Sequence, residues 1–173
     1  MAYVVVCYSY TGTSRVTAER LARSLKAEIV EIVEERQRPK TVVGRLMTAV
    51  GAIFSANPGI KPHTKSFGTG DRVVLCCPIW FGRIAPAARS WLVREGRKPK
   101  LLALALHSRT GRLFRAAAEV QALAGRSADA TCLFSAADFA DGQAERKADG
   151  FVRELIALMP NNVVTRGAKG RPS

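Results

Sequence analysis

Three short stretches, YVVVCY at 3–8, RVVLCC at 72–77 and LLALAL at 101–106, run almost without a polar break. Runs of this length and β-branched content mark strands covered on both faces. A strand covered on both faces needs a layer of helix on each side, and the intervening segments supply it. From Arg15 to Lys26, Val16, Ala18, Leu21, Ala22 and Leu25 fall at helical spacing, leaving Arg15, Glu19, Arg20 and Arg23 for the wet side. Ala85 to Arg94 and Leu113 to Leu123 read as two further helices, and Gln143 to Leu158 as a closing one that Pro160 ends. Ile29 to Val33 alternates as a shorter strand nearer a sheet edge, and Ala130 to Phe134 reads as a fifth strand. The expectation is an α/β fold, a doubly wound five-stranded parallel sheet with helices on both faces. Ligands of such sheets gather at the carboxyl ends of the strands.

Residues 36–70 are too long for an ordinary connection. Within them Val42, Val43, Leu46, Met47, Val50, Ile53 and Phe54 keep helical spacing, which predicts the second crossover helix before a loop opens at Asn57-Pro58-Gly59. Its apolar face reads first as a cover for the sheet, with a lid or a homodimer contact through residues 42–56 as the alternative. At 173 residues the chain fits one domain, expected over 1–160, with a polar flexible tail over 161–173. No apolar stretch approaches the roughly 20 residues that span a bilayer. The N-terminus runs straight into a strand rather than into a targeting pattern, so the sequence reads as cytoplasmic.

The formal net charge is +13, and it is unevenly placed. Between Glu35 and Glu95 the only acid is Asp71, against ten bases. Such a field draws anions: phosphorylated ligands, acidic proteins or nucleic acid. The four cysteines, Cys7, Cys76, Cys77 and Cys132, all fall in expected core strands without a CxxC pair. They read as buried reduced thiols, with zinc not expected at them or at His63 and His107.

Just after the first strand comes Ser9-Tyr10-Thr11-Gly12-Thr13-Ser14, with four hydroxyl side chains in six residues. A helix cap uses one hydroxyl, two at most. A phosphate at a strand-to-helix turn calls for backbone amides at the helix start, short hydroxyls and a glycine that permits close approach, all of which stand here. The lysine of a nucleotide triphosphatase loop and the three glycines of a dinucleotide fingerprint are both missing, so a monophosphate held by neutral donors fits best. A magnesium-dependent receiver domain is excluded. Its strand ends would carry clustered acids, whereas Tyr8 and Ser9 follow the first strand here and Cys77 and Pro78 the third.

The stretch YSYTGTSRVTAERLA, 8–22, resembles the phosphate loop of the flavodoxin family, in which S-x-T-G-x-T leads into the first helix. Ser14 stands where the last threonine is usual. A second stretch, CCPIWFGRIAPAARSWL at 76–92, is similar to the P-x-W-x-G loop of flavodoxin-like reductases, with a proline opening the next helix. The resemblance runs through about the first 160 residues in strand order. It implies noncovalent flavin mononucleotide (FMN), with Ser9, Tyr10, Thr11, Gly12, Thr13 and Ser14 at the phosphate. Pro78, Ile79, Trp80, Phe81 and Gly82 would line one side of the isoalloxazine. The loop HSRTGRLF at 107–114 stands where the family has its second flavin-contacting loop, and its His107 reads first as a satisfied loop histidine, with a hydrogen bond to the flavin as the alternative. Trp91, inside the following helix, reads as a core anchor. The implied function is a redox protein, passing electrons to an acidic protein partner or from NAD(P)H to a quinone-like acceptor, with no catalytic side chain required. The alternative is a cofactor-free basic domain that binds nucleic acid or another anionic surface.

Overall fold

The computed structural model describes residues 3–36, 57–63, 65–109 and 114–159. Five parallel strands form the main sheet: β1 (Tyr3–Cys7), β2 (Glu28–Glu31), β3 (Arg72–Trp80), β5 (Leu101–Ser108) and β6 (Ala130–Ser135). Their order across the sheet is β2-β1-β3-β5-β6, and a two-residue strand β4 (Arg83–Ile84) pairs antiparallel with the end of β3. The helices are α1 (Thr13–Leu25), α2 (Pro86–Glu95), α3 (Phe114–Ala124), α4 (Ala136–Ala140) and α5 (Gln143–Ala157). The expected crossover helix, the dimer face at 42–56 and the tail at 161–173 lie outside the described residues.

The unbroken apolar runs have a direct cause, since successive side chains of a strand point to opposite faces. Val4, Val6, Val73, Leu75, Leu102 and Leu104 pack with Ala87, Trp91 and Leu92 of α2 and Ala116 and Val120 of α3. Tyr3, Val5, Cys7, Val74, Cys76, Ala103 and Ala105 pack with Leu21 of α1 and Phe151 and Leu155 of α5. Both sets are core, so no polar alternation survives. Each fully buried aliphatic side chain contributes about 1.5–3 kcal/mol, enough for these faces to dictate register. Edge strand β2 keeps only Val30 buried, which explains its alternation. The Tyr3 hydroxyl donates to the Leu155 carbonyl at 2.6 Å, tying β1 to α5.

Two elements extend beyond the sequence reading. β3 continues through Pro78 to Trp80 instead of ending at Cys77, then turns back in two residues with Ile79 opposite Ile84 and Trp80 opposite Arg83. Pro78 cannot donate to a ladder, but it sits at the end of the β3–β5 pairing, opposite His107, and its carbonyl accepts from Ala85 N–H at 3.1 Å. α4 is only five residues long and starts from a reciprocal cap. Ser135 Oγ accepts from Asp138 N–H, and the Asp138 carboxylate accepts from Ser135 N–H.

Candidate functional site

β1 ends at Cys7, and the chain reaches α1 through a five-residue corner. Gly12 adopts φ 98°, where a side chain would be strained, and a Cβ built there would meet nothing within 4 Å. The corner is therefore open. Ser9 Oγ accepts the Gly12 amide at 3.1 Å and shapes the turn. The Gly12 carbonyl takes the amides of Arg15 (3.0 Å) and Val16 (3.2 Å). Thr13 and Ser14 thus precede the first intrahelical bond, where a helix offers its amides and about half a positive charge. Thr11 and Thr13 are exposed, with their hydroxyl oxygens 3.5 Å apart.

From this corner a cavity of about 1040 Å³ extends along the carboxyl ends of β1, β3, β5 and β6. On the β1–β3 side, Trp80 meets Tyr8 (centroids 6.1 Å apart) and Tyr10 (5.8 Å) edge to face. Phe81 and Gly82 form the hairpin turn with φ 53° and 78°, and Phe81 is 63% exposed. One carboxylate braces this hairpin. Glu119 of α3 accepts from the Ile84 amide (2.8 Å), Arg83 Nε (3.1 Å) and Arg89 Nη1 (3.3 Å), the last from a side chain only 1% exposed. On the β6 side stand Phe134 and Phe139, and the His107 ring stacks on both at 5.2 and 5.9 Å.

His107 is turned toward α1. Its Nδ1 lies 3.2 Å from Ser14 Oγ and its Nε2 2.8 Å from Thr17 Oγ1. Burial lowers its pKa to about 4, against a smaller opposing pull from the Cys77 carbonyl, so the ring is neutral at pH 7. The thiols of Cys76 and Cys77 are buried and pushed up in pKa, chiefly by burial. They are poor nucleophiles.

The structure brings Tyr10, Thr11, Thr13, Ser14, Pro78, Ile79, Trp80, Phe81, Gly82 and His107 to one cavity. Ser9 and Gly12 line a smaller adjoining one of about 320 Å³, beside the Arg15–Glu31 ion pair. His107 is the satisfied histidine that the residues favoured, its nitrogens facing the hydroxyls of Ser14 and Thr17, and it meets the cavity as a ring. Ser14 is 2% exposed and tied to His107, so the four hydroxyls are not equivalent. Trp91, fully buried and edge-on to Phe67 at 5.4 Å, is a core anchor.

Sequence reasoning missed Thr17, Phe134, Phe139, Arg109 and Arg115. Thr17 carried a signal, standing three residues after Ser14 on one helix face. Phe139 rides on α4, too short to show a period. Arg109 and Arg115 line the cavity, and neither has an ion-pair partner among the described residues.

No family model matches the sequence, and no curated protein matches it. Solved structures do. A Lactobacillus acidophilus NCFM flavoprotein crystallised in complex with FMN is similar with TM-score 0.67 and 16% identity, over 81% of this chain and 97% of that one. A candidate flavoprotein from Bacteroides eggerthii DSM 20697 matches with TM-score 0.73 and 17% identity, over 91% and 99%. Another, from Bacteroides uniformis ATCC 8492, gives 0.65 and 16% over 84% and 97%. At such identities the likeness is one of architecture, and with the strand order it gives this chain the flavodoxin-like fold.

Proposed function

We propose that this protein binds FMN noncovalently and works as a redox protein. The observation that carries the reading is a cavity that runs from Thr11, Thr13 and Ser14 at the helix start, beside the open Gly12 corner, to an aromatic wall at the carboxyl edge of the sheet. The fit of the residues present supports FMN. The phosphate needs an unobstructed anion corner, and Gly12 with the amides of Thr13 and Ser14 and the hydroxyls of Thr11 and Thr13 offers one. A fused aromatic ring needs a flat apolar slot, and Tyr10, Pro78, Ile79, Trp80, Phe81 and Gly82 offer that. A volume at the upper end of the roughly 300–1,000 Å³ usual for small-molecule sites leaves space for a second reactant.

When bound, the flavin supplies the transfer of electrons, as single electrons or as a hydride. The chain binds, orients and keeps water away. His107 is neutral with both nitrogens occupied, so no acid–base step is assigned to it. The electron route runs to an acidic protein partner, or from NAD(P)H to a quinone-like acceptor. Arg109, Arg115 and the net charge of +13 support an anionic second reactant in either case. The reading places the protein in the cytoplasm.

An absorption spectrum of the purified protein tests the cofactor. A flavin band released by acid and identified as the mononucleotide is expected, and apoprotein that takes up no FMN on incubation rejects the reading. A colourless protein with salt-sensitive binding to unrelated DNA would support the basic-domain alternative instead. NAD(P)H oxidation with a quinone then separates reductase from carrier, since a carrier turns over with neither nicotinamide.

A further inference from the structure

We propose that His107 is a positioning residue that aims the Ser14 hydroxyl, as a donor, into the anion corner at the start of α1. This rests on the reading that the corner binds the FMN phosphate. Ser14 and Thr17 are both buried, and each presents its hydroxyl to one nitrogen of the same ring, at 3.2 and 2.8 Å. A neutral imidazole has one N–H and one bare nitrogen, whereas each hydroxyl can donate once and accept. Two arrangements satisfy both hydroxyls, and the Cys77 carbonyl, which can only accept, favours whichever puts the N–H on the nitrogen it faces.

In the first, the Thr17 hydroxyl donates to Nε2, Nδ1–H donates to Ser14 Oγ, and the Ser14 proton is left for the cavity that Ser14 lines. In the second, Nε2–H donates to Thr17 Oγ1, and Ser14 spends its proton on Nδ1 and offers only lone pairs. An anion beside Ser14 is hydrogen-bonded in the first arrangement and repelled in the second. Binding therefore selects the Nδ1–H tautomer. Stacking on Phe134 and Phe139 holds the ring in a dry setting that favours the neutral form, which this alternation needs. Ser14 thereby acquires a fixed polarity from a residue 93 positions away.

The test is long-range ¹H–¹⁵N NMR of the imidazole nitrogens at pH 7, for the protein alone, with FMN and with inorganic phosphate, His63 being assigned through His63→Gln. Protonation of His107 at Nδ1 in the FMN-bound protein is expected. A bound ring protonated at Nε2 alone overturns the inference and leaves FMN binding intact, whereas failure of the wild type to bind FMN removes both. Affinities give a second readout. His107→Leu should weaken FMN binding about tenfold, the scale of one hydrogen bond to a charged group, while riboflavin, which lacks the phosphate, is little affected. Ser14→Ala should match that selective loss, and His107→Gln, which keeps a donor and an acceptor, should restore most of it. Equal losses for FMN and riboflavin would mark a merely structural histidine and overturn the proposal.

Discussion

Replacing Phe81 by asparagine should stabilise the apoprotein and weaken its ligand. Phe81 and Gly82 both lie in the left-handed region, at φ 53° and 78°, as a two-residue type I′ hairpin requires. Glycine adopts that conformation freely, but a bulky L-residue gives up about 1–2 kcal/mol there, whereas Asn-Gly is the favoured pair for this turn. Against the relief stands the packing of the ring. Phe81 is 63% exposed, so roughly a third of the ~1.5–3 kcal/mol of a fully buried phenylalanine is lost, about 0.5–1 kcal/mol. The balance favours the variant by about 0.5–1 kcal/mol, a rise of roughly 2–3 °C in Tm for a chain of this size. Calorimetry must be done on apoprotein, because bound ligand would raise both melting points by mass action. FMN titrations should show affinity falling about threefold to tenfold, the scale of one aromatic contact. A Tm lowered by 2 °C or more would refute the strain argument, and unchanged affinity would remove Phe81 from the wall.

Three further outcomes follow from the same geometry. Glu119→Gln removes the carboxylate shared by the Ile84 amide, Arg83 and Arg89 and should cost about 1.5–3 kcal/mol in urea unfolding, the scale of a hydrogen bond to a charged group, and a loss under about 0.5 kcal/mol would show that the hairpin does not depend on this brace. His107, neutral and dry in the fold with a pKa of about 4 against about 6.5 unfolded, binds its proton more readily in the unfolded chain. Stability should therefore fall by roughly 3 kcal/mol as pH drops from about 6.5 to about 4, and His107→Gln should flatten that part of the profile in acid unfolding. Replacing Arg109 and Arg115 together by glutamine should slow reaction with an anionic electron donor about tenfold at low ionic strength, the two proteins converging near 0.5 M salt, and a difference that persists at high salt would exclude steering as its cause.

Much of the fold was legible because two-sided burial erases alternation, and 3–8, 72–77 and 101–106 carry that mark plainly. The hairpin was not. Pro78 argues locally against a strand, and Phe81-Gly82 is a poor turn signal beside Asn-Gly, so only pairing with β4 and the brace from Glu119 reveal it. The hydroxyl cluster marked the open corner before α1, but the division of labour among its hydroxyls depends on His107, remote in sequence and adjacent only through the strand order. The β6 side of the cavity was hidden for a different reason. A five-residue helix shows no period, although the Ser135–Asp138 spacing of its cap could have announced its start.

Because Trp80 ends a strand that folds back through only two residues, Phe81 and Gly82, the β3 flank of the cavity is an outgrowth of the sheet rather than an independent loop. Lengthening that turn by one residue would slip β4 by one place against β3 and take Ile84, fully buried here, off its core face, so this border tolerates exchange of side chains but not of length. Relatives that came to handle different reactants would be expected to keep the WFG corner constant in length.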